Sequence, residues 1–207
     1  MNEQFFKLKK EKRNSIVNAV AVEFVKHGYD KASTNIMASE AGISKGSLFN
    51  YFESKKNLFL YLIDYSIEII EKLYEQIDVS ERDLFLRLEN IGVQKLKIQI
   101  EYPHIFDFLK LVKQEHTQDL REDIQAKFES ITTRGIEKIY QNIDYSLFKE
   151  DLDIKKAIEV LNWTMFGFSE KALNDIESFH HINTLGEKYL SEWREYADFL
   201  RNMFYKQ

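Results

Sequence analysis

The sequence predicts an all-α protein: an N-terminal three-helix head carrying a helix-turn-helix, and a larger helical body, about nine helices in all. Three observations lead there. Apolar residues recur at helical spacing along nearly the whole chain, and no stretch sustains the alternation of a strand. One proline and seven glycines stand among 207 residues, so breakers are scarce and long helices are favoured. The apolar fraction of 44% belongs to a folded chain, not a disordered one.

The elements follow in order. Ile16, Val17, Val20, Phe24 and Val25 form one apolar stripe, which Gly28 ends as a stop signal. Ser33 or Thr34 caps a short second helix that runs to Ala41. A third begins near Ser44 and ends about Tyr51, and Leu58, Leu62, Tyr65, Ile69 and Leu73 trace a long fourth. Leu84, Leu88 and Ile91 mark a fifth. Pro103 favours the first turn of a sixth, which carries Ile105, Phe106, Leu109 and Val112. Leu120, Ile124, Phe128, Ile131, Ile139 and Ile143 give a seventh. The last two are the most regular, with Ile158, Leu161, Met165, Phe168 and Ala172 on one and Tyr189, Trp193, Tyr196, Leu200 and Met203 on the other. The expected division is 1–54 for the head and 55–207 for the body.

Charge separates the same two parts. Residues 1–57 hold ten Lys/Arg against six Asp/Glu, whereas the whole chain carries −5, so a polyanion is expected to dock at the N-terminal end. Cysteine is absent, which removes disulfides and thiolate metal sites. The basic N-terminus lacks the apolar core of a signal peptide, and no run approaches a membrane span of about 18 apolar residues, so the expected location is cytoplasmic.

The chemistry concentrates in residues 39–59, SEAGISKGSLFNYFESKKNLF. Two short helices separated by AGIS after a longer first one match a helix-turn-helix. Gly42 can take the positive φ that turns the chain, and Ile43, Leu48 and Phe52 supply the apolar side that holds the second helix to the head. Ser44 caps that helix and places Lys45, Gly46 and Ser47 at its N-terminal end, where a recognition helix meets bases and phosphates. Lys45 can reach a phosphate or a guanine edge, and Gly46 lets the backbone approach the duplex. Ser47 and Asn50 can read bases or bind phosphates, and Tyr51, Lys55 and Lys56 can meet the DNA backbone. Thr34 and Asn35, at the start of the preceding helix, can hold the other side of the groove.

The run HGYDKASTNIMASEAGISKGSLFNYFESKKNLF resembles the N-terminal signature of the tetracycline-repressor (TetR) family of transcriptional regulators. The likeness covers about residues 12–60. Gly28, Tyr29, Ser33, Met37, Ala38, Ala41, Gly42, Ser44, Lys45, Gly46, Phe52, Lys55 and Leu58 fall on family positions. The resemblance implies DNA contacts from Thr34, Ser44, Lys45, Gly46, Ser47, Asn50, Tyr51 and Lys55. Phe49 departs from it, because the family usually has tyrosine there, and phenylalanine offers no hydroxyl to a phosphate.

A single recognition helix offers few base contacts, so a homodimer on a palindromic double-stranded DNA operator is expected. Ile158, Leu161, Met165 and Phe168, with Trp193, Tyr196, Leu200 and Met203, are the expected dimer seam, suited to helix-against-helix packing. The resemblance implies the same arrangement. Residues 80–150 are then an effector domain, with Phe106, Phe128, Trp163 and Phe166 as the expected ligand pocket. The aromatic content suits a small hydrophobic effector, and Glu101 and Glu115 would suit a cationic one.

No cofactor, metal site or catalytic residue is expected. His180 and His181 are adjacent and point to different faces of a helix, and His27, His104 and His116 lack metal-ligand spacing with carboxylates. No nucleophile elbow or phosphate-binding glycine loop occurs. Three rival readings stand beside the ligand-responsive repressor: a constitutive DNA-binding regulator, a helical protein-interaction module with a basic head, and an enzyme.

Overall fold

The computed structural model describes residues 3–114 and 118–206, with side chains at all of these except 118–123. Glu115 and His116 therefore lie outside the described residues. The architecture is all-α, as its spacing predicts, with ten α-helices among the described residues: α1 (Glu3–Phe6), α2 (Lys10–Lys31), α3 (Thr34–Glu40), α4 (Lys45–Phe52), α5 (Lys55–Glu75), α6 (Leu84–Glu101), α7 (Pro103–Gln114), α8 (Gln118–Tyr140), α9 (Ile154–Asp175) and α10 (Ile182–Phe204). The helix beyond the expected nine is α1, a single turn too short to show a period.

The chain forms two compact units. Unit 1 comprises Met1–Ile70 and Tyr102–Glu129, and unit 2 comprises Glu71–Glu101 and Ser130–Gln207. In unit 1, Ile16, Val17, Val20 and Phe24 of α2 are buried as their stripe requires, whereas Val25 falls off it and is exposed. Gly28 breaks the helical path with φ 70 and ψ 173, a conformation that suits glycine, and the backbone takes one more turn before α3. Phe24, Phe59 and Phe108 meet edge-on and tilted, with centroids 4.9 to 6.2 Å apart, so α2, α5 and α7 share an aromatic core. Phe5 of α1 is fully buried against Tyr51, Phe52 and Tyr61.

Unit 2 is built on α6, α9 and α10. Leu84, Phe85, Leu88, Leu161, Trp193, Ala197, Leu200 and Phe204 form its core. Gly186 permits the crossing of α10 over α6, since a Cβ there would lie 2.1 Å from Leu96 Cδ1. Arg87 is buried, and among the described residues no carboxylate forms an ion pair with it. Its guanidinium donates instead to the carbonyl oxygens of Val79, Ile139 at 2.8 Å, Gln141 and Glu81, tying the α5–α6 loop to the last carbonyls of α8. The C-terminal residues close the unit: Lys149 N donates to Phe204 O, and Lys206 N to Leu147 O, both at 2.9 Å.

The expected dimer seam divides. Leu161, Trp193 and Leu200 are buried within the subunit, and Ile158, Met165 and Phe168 are half-buried, the last two packed on the unit-2 core. Tyr196 and Met203 are exposed. The large exposed apolar groups of these two helices are Val160, Trp163 (70% exposed) and Phe166 on α9, with Tyr196, Phe199 (62%) and Met203 on α10. Helix α9 thus carries two apolar stripes on opposite sides, and packing against α6 and α10 takes the Leu161 stripe inward.

Candidate nucleic-acid interface

The head places its polar groups by capping. Ser33 is the N-cap of α3; its Oγ accepts from Ile36 N at 3.5 Å, and its own N–H donates to Oε1 of the buried Glu23 at 2.8 Å. Gly42 turns the chain at φ 62 after α3. Ser44 caps α4, its Oγ accepting from Ser47 N at 3.0 Å. This cap satisfies one amide of the first turn and leaves the positive end of the short helix facing outward.

Around that end Ser44, Lys45, Gly46 and, one turn on, Asn50 are exposed, while Ser47 and Tyr51 are half-buried. Thr34 is half-buried and Asn35 exposed at the start of α3. Lys45 Nζ lies 5.8 Å from the centre of the Phe49 ring. Phe49 therefore supports the lysine from below, in a cation–π contact that needs no hydroxyl. Tyr51 rests its ring on Phe5 at 5.8 Å.

Lys55, expected to meet the DNA backbone, is engaged within the protein. Its ammonium donates to the carbonyl oxygens of Asp30 at 2.9 Å and Ala32 at 3.4 Å, and sits 5.1 Å from the Tyr29 ring centre. The end of α2 offers unsatisfied carbonyls, and they take the cation first.

Two supporting groups escape sequence reasoning. Lys12 Nζ donates to the carbonyl oxygens of Ala41 and Gly42, clamping the turn from α2. Gln4 Oε1 accepts from Asn50 Nδ2 at 2.8 Å and so orients the exposed Asn50 amide. The clue to Lys12 is only its membership of a basic run, and Gln4 carries none.

Unit 2 holds a cavity of about 200 Å³ between α6, α9 and α10, lined among others by Leu88, Lys95, Gln99, Met165, Phe168, Ser169, Ala172, Tyr189 and Trp193. The four aromatics expected to form the pocket do not line it. Trp163 and Phe166 point to the outer side of α9, Phe106 is buried in unit 1, and Phe128 is half-buried in unit 1. Periodicity marks an aromatic stripe without telling its inner from its outer side. Lys95 Nζ lies 3.4 Å from Ser169 Oγ, and burial holds its pKa below the usual lysine value. A polar cleft of about 230 Å³ lies around Arg87, whose guanidinium is committed to backbone carbonyls.

Fold and head together define a helix-turn-helix DNA-binding protein. Residues 16–62 match the model of bacterial regulatory proteins of the tetR family. The HTH-type transcriptional repressor AcnR of Corynebacterium glutamicum is 26% identical over 162 residues, spanning 75% of this chain and 79% of that protein. A TetR family transcriptional regulator from Chloroflexus aurantiacus has the same fold, with TM-score 0.64, 23% identity and coverage of 100% of this chain and 99% of the other. SmeT in its triclosan complex aligns with TM-score 0.61 at 16% identity, over 96% of this chain and 93% of its own. The head of the chain, residues 16–62, is thus similar to those of the tetR family of bacterial regulatory proteins, and the fold of the chain to that of a solved TetR family regulator. Among the described residues, no helix is long and apolar enough to cross a membrane.

Proposed function

We propose that this chain is a transcriptional repressor that binds a two-fold symmetric DNA operator as a homodimer and releases it when a small molecule occupies the unit-2 cavity. One observation carries the reading: the Ser44-capped start of α4 leaves Lys45, Gly46 and Asn50 turned to solvent on a helix whose other side, through Leu48 and Phe52, is buried. Thr34, Asn35, Ser47 and Tyr51 complete the reading surface. Residues 1–54 serve as the reader, and 55–207 as the sensing and dimerising part. The exposed row Trp163, Phe166, Tyr196, Phe199 and Met203 supports self-association, since large apolar groups concentrated on one helix pair mark an interface. A relative named a transcriptional repressor supports repression, and a solved neighbour holding triclosan supports a small-molecule effector.

The proposed release follows from helices shared along the chain. Ile139 of α8 lines the cavity, and the same helix begins in unit 1. A ligand that prefers one packing of α8 selects dimers whose recognition helices no longer match successive major grooves, about 34 Å apart. Selection of bound duplexes from a random library tests the reading. The expected result is an enriched palindrome; an unenriched pool, or a lone half-site bound by a monomer in light scattering, overturns it.

A further inference from the structure

We propose that the unit-2 cavity takes a small amphiphile with a hydrocarbon body and one carboxylate head, the head held by Lys95. The inference rests on the effector reading above and names the chemical class of the effector.

Charge decides the head. Among the described residues, Lys95 is the one charged residue on the lining, and no aspartate or glutamate shares it. Among the described residues its hydrogen-bond partner is the neutral Ser169 hydroxyl, 3.4 Å away, and no carboxylate pairs with it. A half-buried ammonium at an apolar wall without a counter-ion is partly desolvated, and an incoming anion relieves that penalty. The burial that depresses the lysine pKa points the same way. Gln99 follows Lys95 by one helical turn on α6, so its amide falls on the same face and adds a neutral donor. The Tyr189 hydroxyl is engaged by Asp175. A cationic effector, one of the two classes that composition alone suits, would meet Lys95 with no balancing carboxylate.

Shape decides the body. Leu88, Met165, Phe168 and Trp193 wall the rest of the cavity, and methionine adapts to irregular apolar ligands. At about 200 Å³ the space falls below the roughly 300–1,000 Å³ of drug-sized sites. A short hydrocarbon chain suits it better than a polycyclic drug.

Isothermal titration of the full chain with octanoate, octan-1-ol and octylamine tests the assignment. Octanoate should bind about ten-fold more tightly than octanol, with octylamine weakest. Lys95→Met, which keeps the stem and removes the charge, should abolish that preference while octanol still binds. Ala172→Trp, which fills the cavity from α9, should abolish binding of both, with circular dichroism confirming the fold. Equal affinity for octanoate and octanol, or a preference that survives Lys95→Met, overturns the carboxylate assignment and leaves the effector reading standing. Failure of all three probes overturns the cavity as an amphiphile site. Tight octanoate binding that leaves affinity for the selected duplex unchanged supports the carboxylate site and sinks the effector reading instead.

Discussion

Lys12 Nζ donates to the carbonyl oxygen of Gly42 at 2.9 Å and, at the same distance, to that of Ala41. Helix α2 thereby holds the turn between α3 and α4 through a charged donor on two carbonyls. Lys12→Met should lower stability by about 1.5–3 kcal/mol, the usual contribution of hydrogen bonds from a charged group. Thermal denaturation measures it, and an unchanged midpoint would show the clamp to be dispensable.

The two lysines flanking α4 should separate in their effects. Lys45 is exposed, so Lys45→Ala should weaken DNA binding at near-constant stability and lower the slope of log affinity against log salt by about 1. Tyr51→Phe keeps the ring on Phe5 and should lose affinity without losing helicity. Lys55→Met should do the reverse, lowering the melting temperature while leaving the salt slope intact, because its ammonium serves the Asp30 and Ala32 carbonyls. Anisotropy titrations at several salt concentrations distinguish the cases.

Glu53 ends α4 at φ 64 and ψ −44, with Ser54 N donating to Phe52 O at 2.7 Å. That is a γ-turn with a side chain in a region few residues tolerate. Glu53→Gly should relieve about 1 kcal/mol of strain and raise the midpoint of chemical denaturation. A lowered midpoint would mean that the glutamate side chain stabilises more than its backbone strains.

On α9 and α10 the inner and outer stripes predict opposite defects. Leu161→Ala removes a core side chain and should cost about 2–5 kcal/mol of stability. Trp163→Asp with Phe199→Asp should leave helicity intact and yield a monomer in light scattering. A dimer surviving the double change would place the interface elsewhere.

Much of this was legible locally. Gly28 and Gly42 adopt the positive φ that their positions demand, and Ser33 and Ser44 cap as serines before short helices do. The helix-turn-helix is a local device, its caps, turn residues and apolar spine all lying within thirty positions, so the residues themselves carry it. The Lys45–Phe49 contact is likewise one helical turn, and it accounts for the residue that departs from the family pattern.

Packing between distant segments decided the rest. Lys12 reaches a turn about thirty residues away, Gln4 orients Asn50 across forty-six positions, and Lys55 is claimed by carbonyls twenty-three and twenty-five positions earlier. Helix α9 bears two apolar stripes with nothing in their spacing to rank them, and only the arrival of α6 and α10 turned Leu161 inward and Trp163 outward. The same packing left Lys95 at an apolar cavity without a counter-ion. Periodicity specifies which residues share a face; which face meets a neighbour depends on where the other helices come to lie.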